Sequence, residues 1–432
     1  MASNNPLPPL KGVAATYRSL HNRNFRLYFG GQSISLIGTW MQRVAVSWLT
    51  YRLTRSAFLL GLVGFAGQIP IFLLTPFAGV LVDRWDRHRI LVVTQILSLI
   101  QALTLAFLVL TNTIAIWHVI LLSILLGLIN VFDNPTRLSF IVDMVDNKED
   151  LGNAIALNAS MFHGASLVGP AIAGILIAIV GEGICFLLNG LSFIGVIISL
   201  LAMKITPKLR GKNFPPVWQG LKEGFIYTFG FPPIRSLILL LAWTNLIGIS
   251  YTVLMPVFAN VILHGGAHTF GFLLAASGCG AMSGSIFLAS RRSVLGLLKI
   301  IAINSILFGI GLVLFSLSQI FWLSILLLAI TGFGMVLLLA GANTALQTMV
   351  DEDKRGRVMS FFIIANVGML PFGNLLAGSL AHLIGAPKTI LIGGILCILG
   401  SIMYAIKLPS MRALIRPIYI RKGIILEEQA GN

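Results

Sequence analysis

The stretch GVLVDRWDRHR, residues 79–89, decides how the chain is read. It closes one apolar run, residues 59–82, and opens another, residues 90–110. Runs of that length cross roughly 30 Å of hydrocarbon at about 1.5 Å per residue. Between them lies a turn too short for a domain and dense in charge: Asp83, Arg84, Asp86, Arg87, His88 and Arg89. At a membrane surface such a knot can pair internally and also meet the positive N-terminus of a neighbouring helix. That is what a latch between two moving parts of a membrane protein needs.

The rest of the composition agrees. Of 432 residues, 57% are hydrophobic and 10% charged, and the mean hydropathy is +0.93. A soluble domain has no means of hiding that much apolar surface, so the bilayer is the expected solvent. The net charge of +16 is scattered between apolar runs. It forms no basic stripe with interleaved aromatics, so no nucleic-acid partner is expected. Cys185, Cys279 and Cys397 lie inside apolar runs without metal-ligand spacing or a disulfide framework. No metal and no cofactor is expected. A cleavable signal peptide is not expected either: the first apolar run begins near Leu27 and is too long for a signal h-region.

Outward from the knot, the chain reads as all-α, with twelve transmembrane helices at about residues 27–51, 58–82, 89–110, 114–136, 152–179, 183–203, 235–262, 268–290, 295–316, 319–345, 357–384 and 388–408. The organisation expected is a cytoplasmic amphipathic segment (1–24), a six-helix bundle (25–203), a basic, Pro-rich cytoplasmic linker (204–233), a second six-helix bundle (234–408) and a cytoplasmic tail (409–432). With both termini inside, 26 of the 30 Lys and Arg fall on the cytoplasmic side, all but Arg43, Arg52, Arg55 and Lys388. This bias is the one that the positive-inside rule demands. The halves also repeat. AGILIAIVG at Ala173 recurs as AGSLAHLIG at Ala377, offset by 204, while Trp117, Gly127 and Met144 recur at Trp322, Gly332 and Met349, offset by 205. A constant offset over three helices and a loop points to two pseudo-symmetric bundles around a central cleft, the plan of a rocker-type carrier.

Polar stripes on the spans mark where that cleft should be wet, because lipid tolerates no such faces. The first span carries Gln32, Ser35, Thr39, Arg43 and Ser47 at steps of three and four. Arg43 lies roughly 24 Å along from Leu27, in the outer half, where an always-charged guanidinium suits an anionic or carbonyl-rich substrate. The bland alternative is snorkelling to the outer headgroups. The fourth span carries Asn130, Asn134 and Arg137 with Asp133 beside them, and Arg137 is read as part of the inner latch. His163 on the fifth span lies near the midplane and can titrate at working pH, unless it is simply bonded to backbone. Trp243 and Asn245 are the picks from the seventh span. No H-E-x-x-H or other ligand or acid–base cluster supports an enzyme.

The knot resembles the major facilitator signature G-x-L-a-D-R-x-G-R-R: Gly79, Leu81, Asp83, Arg84 and Arg87 match, and Asp86 stands at a Gly position. VGPAIAG, residues 168–174, resembles the antiporter signature G-x-x-x-G-P-x-x-G-G of exporters through Gly169, Pro170 and Gly174, with Ala165 and Ala173 at two of its glycines. With NRNFRLYFGGQSISLIGTWMQRVAVSWL, LLGLINVFDNPTR, NAIALNASMF and RGRVMS, nearly the whole chain resembles the branch of the superfamily that holds the enterobactin exporter and the macrolide efflux proteins. The resemblance implies a bacterial inner-membrane, multi-pass, monomeric carrier working by alternating access. It would export an amphipathic small molecule, a siderophore or a drug, in exchange for protons. An uptake carrier or a lysophospholipid flippase on the same scaffold, not necessarily proton-coupled, is the alternative. The same resemblance implies that Asp83 meets the N-terminus of the eleventh helix at Arg355 and Arg357.

Overall fold

The computed structural model describes residues 18–145, 147–204, 217–291 and 293–424, apart from the side chains of 76–81, 83, 84, 148, 217–222 and 353. The expected segment 1–24 therefore lies mostly outside the described residues, as do much of the linker, the end of the tail, and the side chains of Asp83 and Arg84. Among the described residues every regular element is helical. Eleven helices are long and apolar enough to cross a membrane. They are Ala57–Thr75 (within the helix Ala57–Arg84), Arg87–Leu110, Ile116–Met144, Glu149–Val180, Glu182–Leu201, Pro232–Ile262, Ala267–Ser290, Leu297–Leu317, Phe321–Met349, Lys354–Ile384 and Ala386–Ile406. The first helix, Arg23–Thr54, has 32 residues and is long enough as well. Its polar stripe makes it less apolar than those eleven. These twelve are the first to twelfth spans below.

Two spans depart from the sequence reading. The fourth runs through Pro135 to Met144 and the tenth runs to Met349, each one to two turns beyond the expected end. Proline in a transmembrane helix removes one hydrogen bond without ending the helix when the lost partner is made good nearby. The seventh and eleventh spans are irregular, widening to π geometry at Thr244–Gly248, Phe258–Ile262 and Ile364–Gly368. Pro256 and Pro371 sit close to these wide turns.

Packing follows the halves. The first span lies on the fifth and sixth, the third on the sixth and the second on the fourth; the eighth and ninth lie on the tenth, and the twelfth on the ninth. Two large contacts join the halves: the fifth span with the eighth, and the second with the eleventh. An amide chain locks the interior of the first half. Asn189 donates to Gln42 at 2.7 Å, Gln42 to Gln101 at 2.9 Å, and Gln101 to the Leu122 carbonyl at 3.2 Å. All three side chains are buried, so the chain satisfies groups that lipid or core would otherwise strand.

Two helices outside the spans belt the second half. Val217–Gly230 lies on the start of the eleventh span: Glu223 pairs with Arg357 at 2.6 Å, Lys354 stands 4.7 Å over the Tyr227 ring, and Phe225 and Phe229 meet Phe361. Leu408–Arg421 buries Leu408, Met411, Ile415 and Tyr419, one face of a helix. At its end the Lys422 ammonium donates to the carbonyls of Thr348 and Val350 at 2.9 and 2.8 Å, and Arg421 pairs with Asp351 at 2.7 Å. Those bonds cap the tenth span, whose last carbonyls carry the negative end of its dipole.

Candidate functional site

The buried core is divided differently at the two faces. Toward the face away from the termini, one continuous cluster draws Met41, Leu49, Ala173 and Ile177 from the first half and Phe258, Phe270, Ala377 and Ala381 from the second. Toward the face that bears the termini there are two clusters. One holds Phe25, Phe140, Met144 and Leu200 from the first half alone, and the other Ile234, Leu297, Leu346 and Met411 from the second alone. The halves are thus sealed together at the far face and parted at the near one.

The far seal is made by backbone. A Cβ on Gly271 of the eighth span would stand 2.5 Å from the Pro170 carbonyl oxygen and 2.7 Å from the Gly174 Cα on the fifth. A Cβ on Gly378 of the eleventh span would stand 2.7 Å from both the Ala57 carbonyl oxygen and the Gly61 Cα on the second. Gly174 and Gly378 are equivalent positions of the AG repeat, so the two contacts are one contact made twice. Only small residues let helices approach so closely. Gly169 serves the first half instead: a Cβ there would meet the Trp40 Cβ at 2.6 Å. Above the seal, Arg55 donates to the Asn260 side-chain oxygen at 2.6 Å, and the Trp48 and Phe270 rings stack at 6.2 Å.

In the space between the parted halves, the first, fourth and fifth spans bring together the following groups. Arg43 lies 20 residues into the first helix, is exposed, and stacks on Trp40 with its guanidinium carbon 4.7 Å from the ring centroid. Trp40 meets Phe162 edge-on at 5.6 Å. Arg137 lies near Arg43 and Tyr28, and it forms an ion pair with Asp133. Asp133 is 2% exposed and also accepts from Thr94 and Gln95, each at 2.8 Å. Tyr28 donates to Asn158 at 3.1 Å. His163 faces the other half, its Nε2 3.4 Å from the Ser285 hydroxyl on the eighth span.

The sequence reading ends the fourth span at residue 136, and the resemblance joins Arg137 to the latch; the helix runs seven residues further, so Arg137 lies two turns inside it and Asp143 stands at its end. There Arg87 donates to the Asp143 carboxylate at 3.3 Å and to the Ser139 carbonyl at 3.0 Å. Arg355 and Arg357 pair with Glu352 at 3.8 Å and with Glu223. Two other picks face elsewhere. The Trp243 indole donates to the Leu396 carbonyl at 2.9 Å, turned toward the twelfth span, and Asn245 is buried with its amide bonded to the Leu241 carbonyl one turn back. Gln32 is buried, Thr39 bonds back to the Ser35 carbonyl, and Asn130 is half-buried. Trp40, Phe162 and Ser285 had no sequence signal, since a lone aromatic or serine in an apolar run does not stand out.

Twelve helices joined across two contacts, closed at one face around a polar interior, make a membrane transporter. Residues 14–419 match the family described as transmembrane secretion effector, and the chain belongs to that family of major facilitator transporters. The staphyloferrin A transporter of Staphylococcus aureus is 27% identical over 86% of this chain and 92% of its own length. The multidrug efflux pump Tap of Mycolicibacterium fortuitum is 26% identical over 86% and 92%, and the enterobactin exporter EntS of Shigella boydii 26% over 82% and 85%. Among solved structures, a POT family transporter with a thioalcohol-conjugated peptide aligns at a TM-score of 0.71 and 13% identity, over 90% of this chain and 96% of that one. A bacterial homolog of the human lysosomal transporter Spinster, inward-facing and unoccupied, aligns at 0.62 and 13%, over 95% and 99%. These share the fold. The protein is a multi-pass transporter and not an enzyme.

Proposed function

We propose that the chain exports an amphipathic small molecule, a siderophore or a drug, from the cytoplasm of a bacterium across the inner membrane in exchange for protons, acting as a monomer. The bundles 25–203 and 234–408 are the rocking bodies, and 204–233 is the linker between them. Both termini are cytoplasmic, on the strength of the Lys and Arg gathered on that side. The parted face is then the cytoplasmic one, and the protein stands ready to load cargo from inside. The observation that carries the reading is the core, shared between halves at the far face and split at the near face. Efflux relatives with siderophore and drug cargoes support the direction and cargo class.

The inner latch closes in the opposite state, when Asp83 meets the start of the eleventh span; in the loading state Arg357 is held by Glu223. Asp83→Asn should leave the protein inserted and folded while strongly reducing turnover, and undiminished transport in proteoliposomes would refute the latch. His163 is the candidate proton carrier, a titratable group whose ring reaches a hydroxyl of the other half. The test uses inside-out vesicles with an imposed pH gradient, reported by an acridine dye. Cargo addition should drain the gradient, and His163→Ala should move cargo without doing so. Cargo movement that leaves the gradient intact in the native protein removes proton exchange. Full pH-driven transport by His163→Ala removes the histidine.

A further inference from the structure

Among the described residues Arg43 has no counterion. Of the chain's 14 acidic residues, those whose side chains are described lie, with one exception, in loops, at helix ends or outside the spans. The exception, Asp133, is taken by Arg137, Thr94 and Gln95. The spans that face Arg43 from the other half supply no carboxylate: residues 236–290, 321–349 and 358–384 contain no Asp or Glu. The titratable groups there are His264, His268 and His382, near the far face, and the thiol and phenol of Cys279 and Tyr251. On its own side Arg43 meets the Trp40 ring and the charge of Arg137. Asp133 neutralises Arg137 and no described side chain neutralises Arg43, which leaves a standing excess of one positive charge.

Snorkelling does not account for this. Arg43 is followed by 11 more residues of its helix, about 16 Å toward the far face. Its guanidinium lies instead over Trp40, three residues nearer the termini, and near enough to Arg137 to feel its charge. An arginine at this depth without a carboxylate, open to the space between the halves, is a receptor for a charge that comes and goes. Its planar fork fits a carboxylate with two parallel hydrogen bonds, and Trp40 with Phe162 edge-on provides an aromatic wall beside it.

Resting on the transporter reading above, we propose that Arg43 and Arg137 form an anion subsite, and that the cargo is an amphipathic anion. Its carboxylate or comparable oxyanion takes the Arg43 fork, and its flat apolar part lies along Trp40 and Phe162. Arg137 is shared between Asp133 and the cargo. An uncharged amphiphile of the same shape would leave both cations where they are and should bind less well.

The test pairs 2-naphthoate with its uncharged isostere 2-naphthamide. Binding is read as thermal stabilisation of purified full-length protein in phosphatidylcholine nanodiscs, across a concentration series. Naphthoate should bind at least about tenfold tighter than naphthamide, a difference of about 1.4 kcal/mol. Arg43→Gln should bring the ratio close to one. Arg43→Lys, which keeps the charge and loses the fork, should fall between. Arg416→Gln, an equal loss of charge on the exposed C-terminal helix, should leave the ratio unchanged. Equal binding of the two probes by the native protein, or an unchanged ratio in Arg43→Gln with its melting point intact, overturns the subsite. A second arm replaces half the lipid with phosphatidylglycerol and omits the probe. Stabilisation of the native protein over Arg43→Gln there would assign the anion to a lipid headgroup and overturn the cargo assignment. Because binding is read without turnover, absence of flux in vesicles counts against the transport reading alone.

Discussion

A valine at Gly378 should leave the protein inserted and folded, slow transport severalfold or more, and hold the far face open for longer. The reason is what surrounds that position. The nearest atoms to a new Cβ are the Ala57 carbonyl oxygen and the Cα and N of Gly61, at 2.7, 2.7 and 3.0 Å. All three are backbone, so no side chain can swing aside, and relief comes only if the second and eleventh spans separate. Overpacking of this kind costs about 1–3 kcal/mol. The cost falls on the state in which the spans touch and is absent when the far face is open.

That magnitude decides the design of the experiment. Moving a two-state equilibrium from 1:99 to 99:1 takes about 5.5 kcal/mol, so one valine shifts the population without locking it. Gly174 occupies the equivalent place against Gly271 and the Ala267 carbonyl oxygen. The two sites share no partner, so their effects should add, and Gly174→Val with Gly378→Val should come close to a lock. Leu254, fully buried in the far-face core, is the reporter. Changed to cysteine on a background without native cysteines, it should be labelled by a membrane-impermeant maleimide in the double variant and protected in the parent. If the double variant transports at the parental rate, or its cysteine stays protected, the glycine contacts are not the seal.

Much of this was legible in the sequence, for identifiable reasons. The spans were visible because apolar runs of some twenty residues have few other uses, and the repeat was visible because Gly174 and Gly378 sit in matching strings. The central arginine was visible because a charge on a polar helical face inside a membrane segment is hard to explain otherwise. What was missed depends on facing. The fourth span reads as ending at residue 136, yet the helix passes through Pro135 to Met144, and the extra turns place Arg137 within the helix rather than at its end. Trp243 and Asn245 looked like cavity residues because polarity in a span says only that a partner exists, not on which side. Trp243 found the Leu396 carbonyl and Asn245 its own helix. The C-terminal helix escaped notice because its apolar positions, Leu408, Met411, Ile415 and Tyr419, are interleaved with Arg412 and Arg416 and do not form a run.

Asp133→Asn should cost about 3 kcal/mol of stability and abolish transport, and the two losses should come apart in a double variant. Asparagine keeps an oxygen for Thr94 and Gln95, so the cavity and two hydrogen bonds survive. What is lost is the charge opposite Arg137. Removing one partner of a buried ion pair commonly costs about 3–5 kcal/mol, because the survivor is left uncompensated; Arg137 is 22% exposed, which puts the cost at the low end. Adding Arg137→Gln removes the stranded cation, and the double variant should recover most of the stability. Transport should not return, because the anion subsite has then lost its second guanidinium and Arg43 stands alone. Thermal unfolding of the two single variants, the double and the parent gives the coupling directly as a cycle. A cycle with no coupling would mean that the pair is already solvated and holds nothing in place. Restored transport in the double variant would mean that Asp133 and Arg137 serve the bundle's structure and take no part in the passage of cargo.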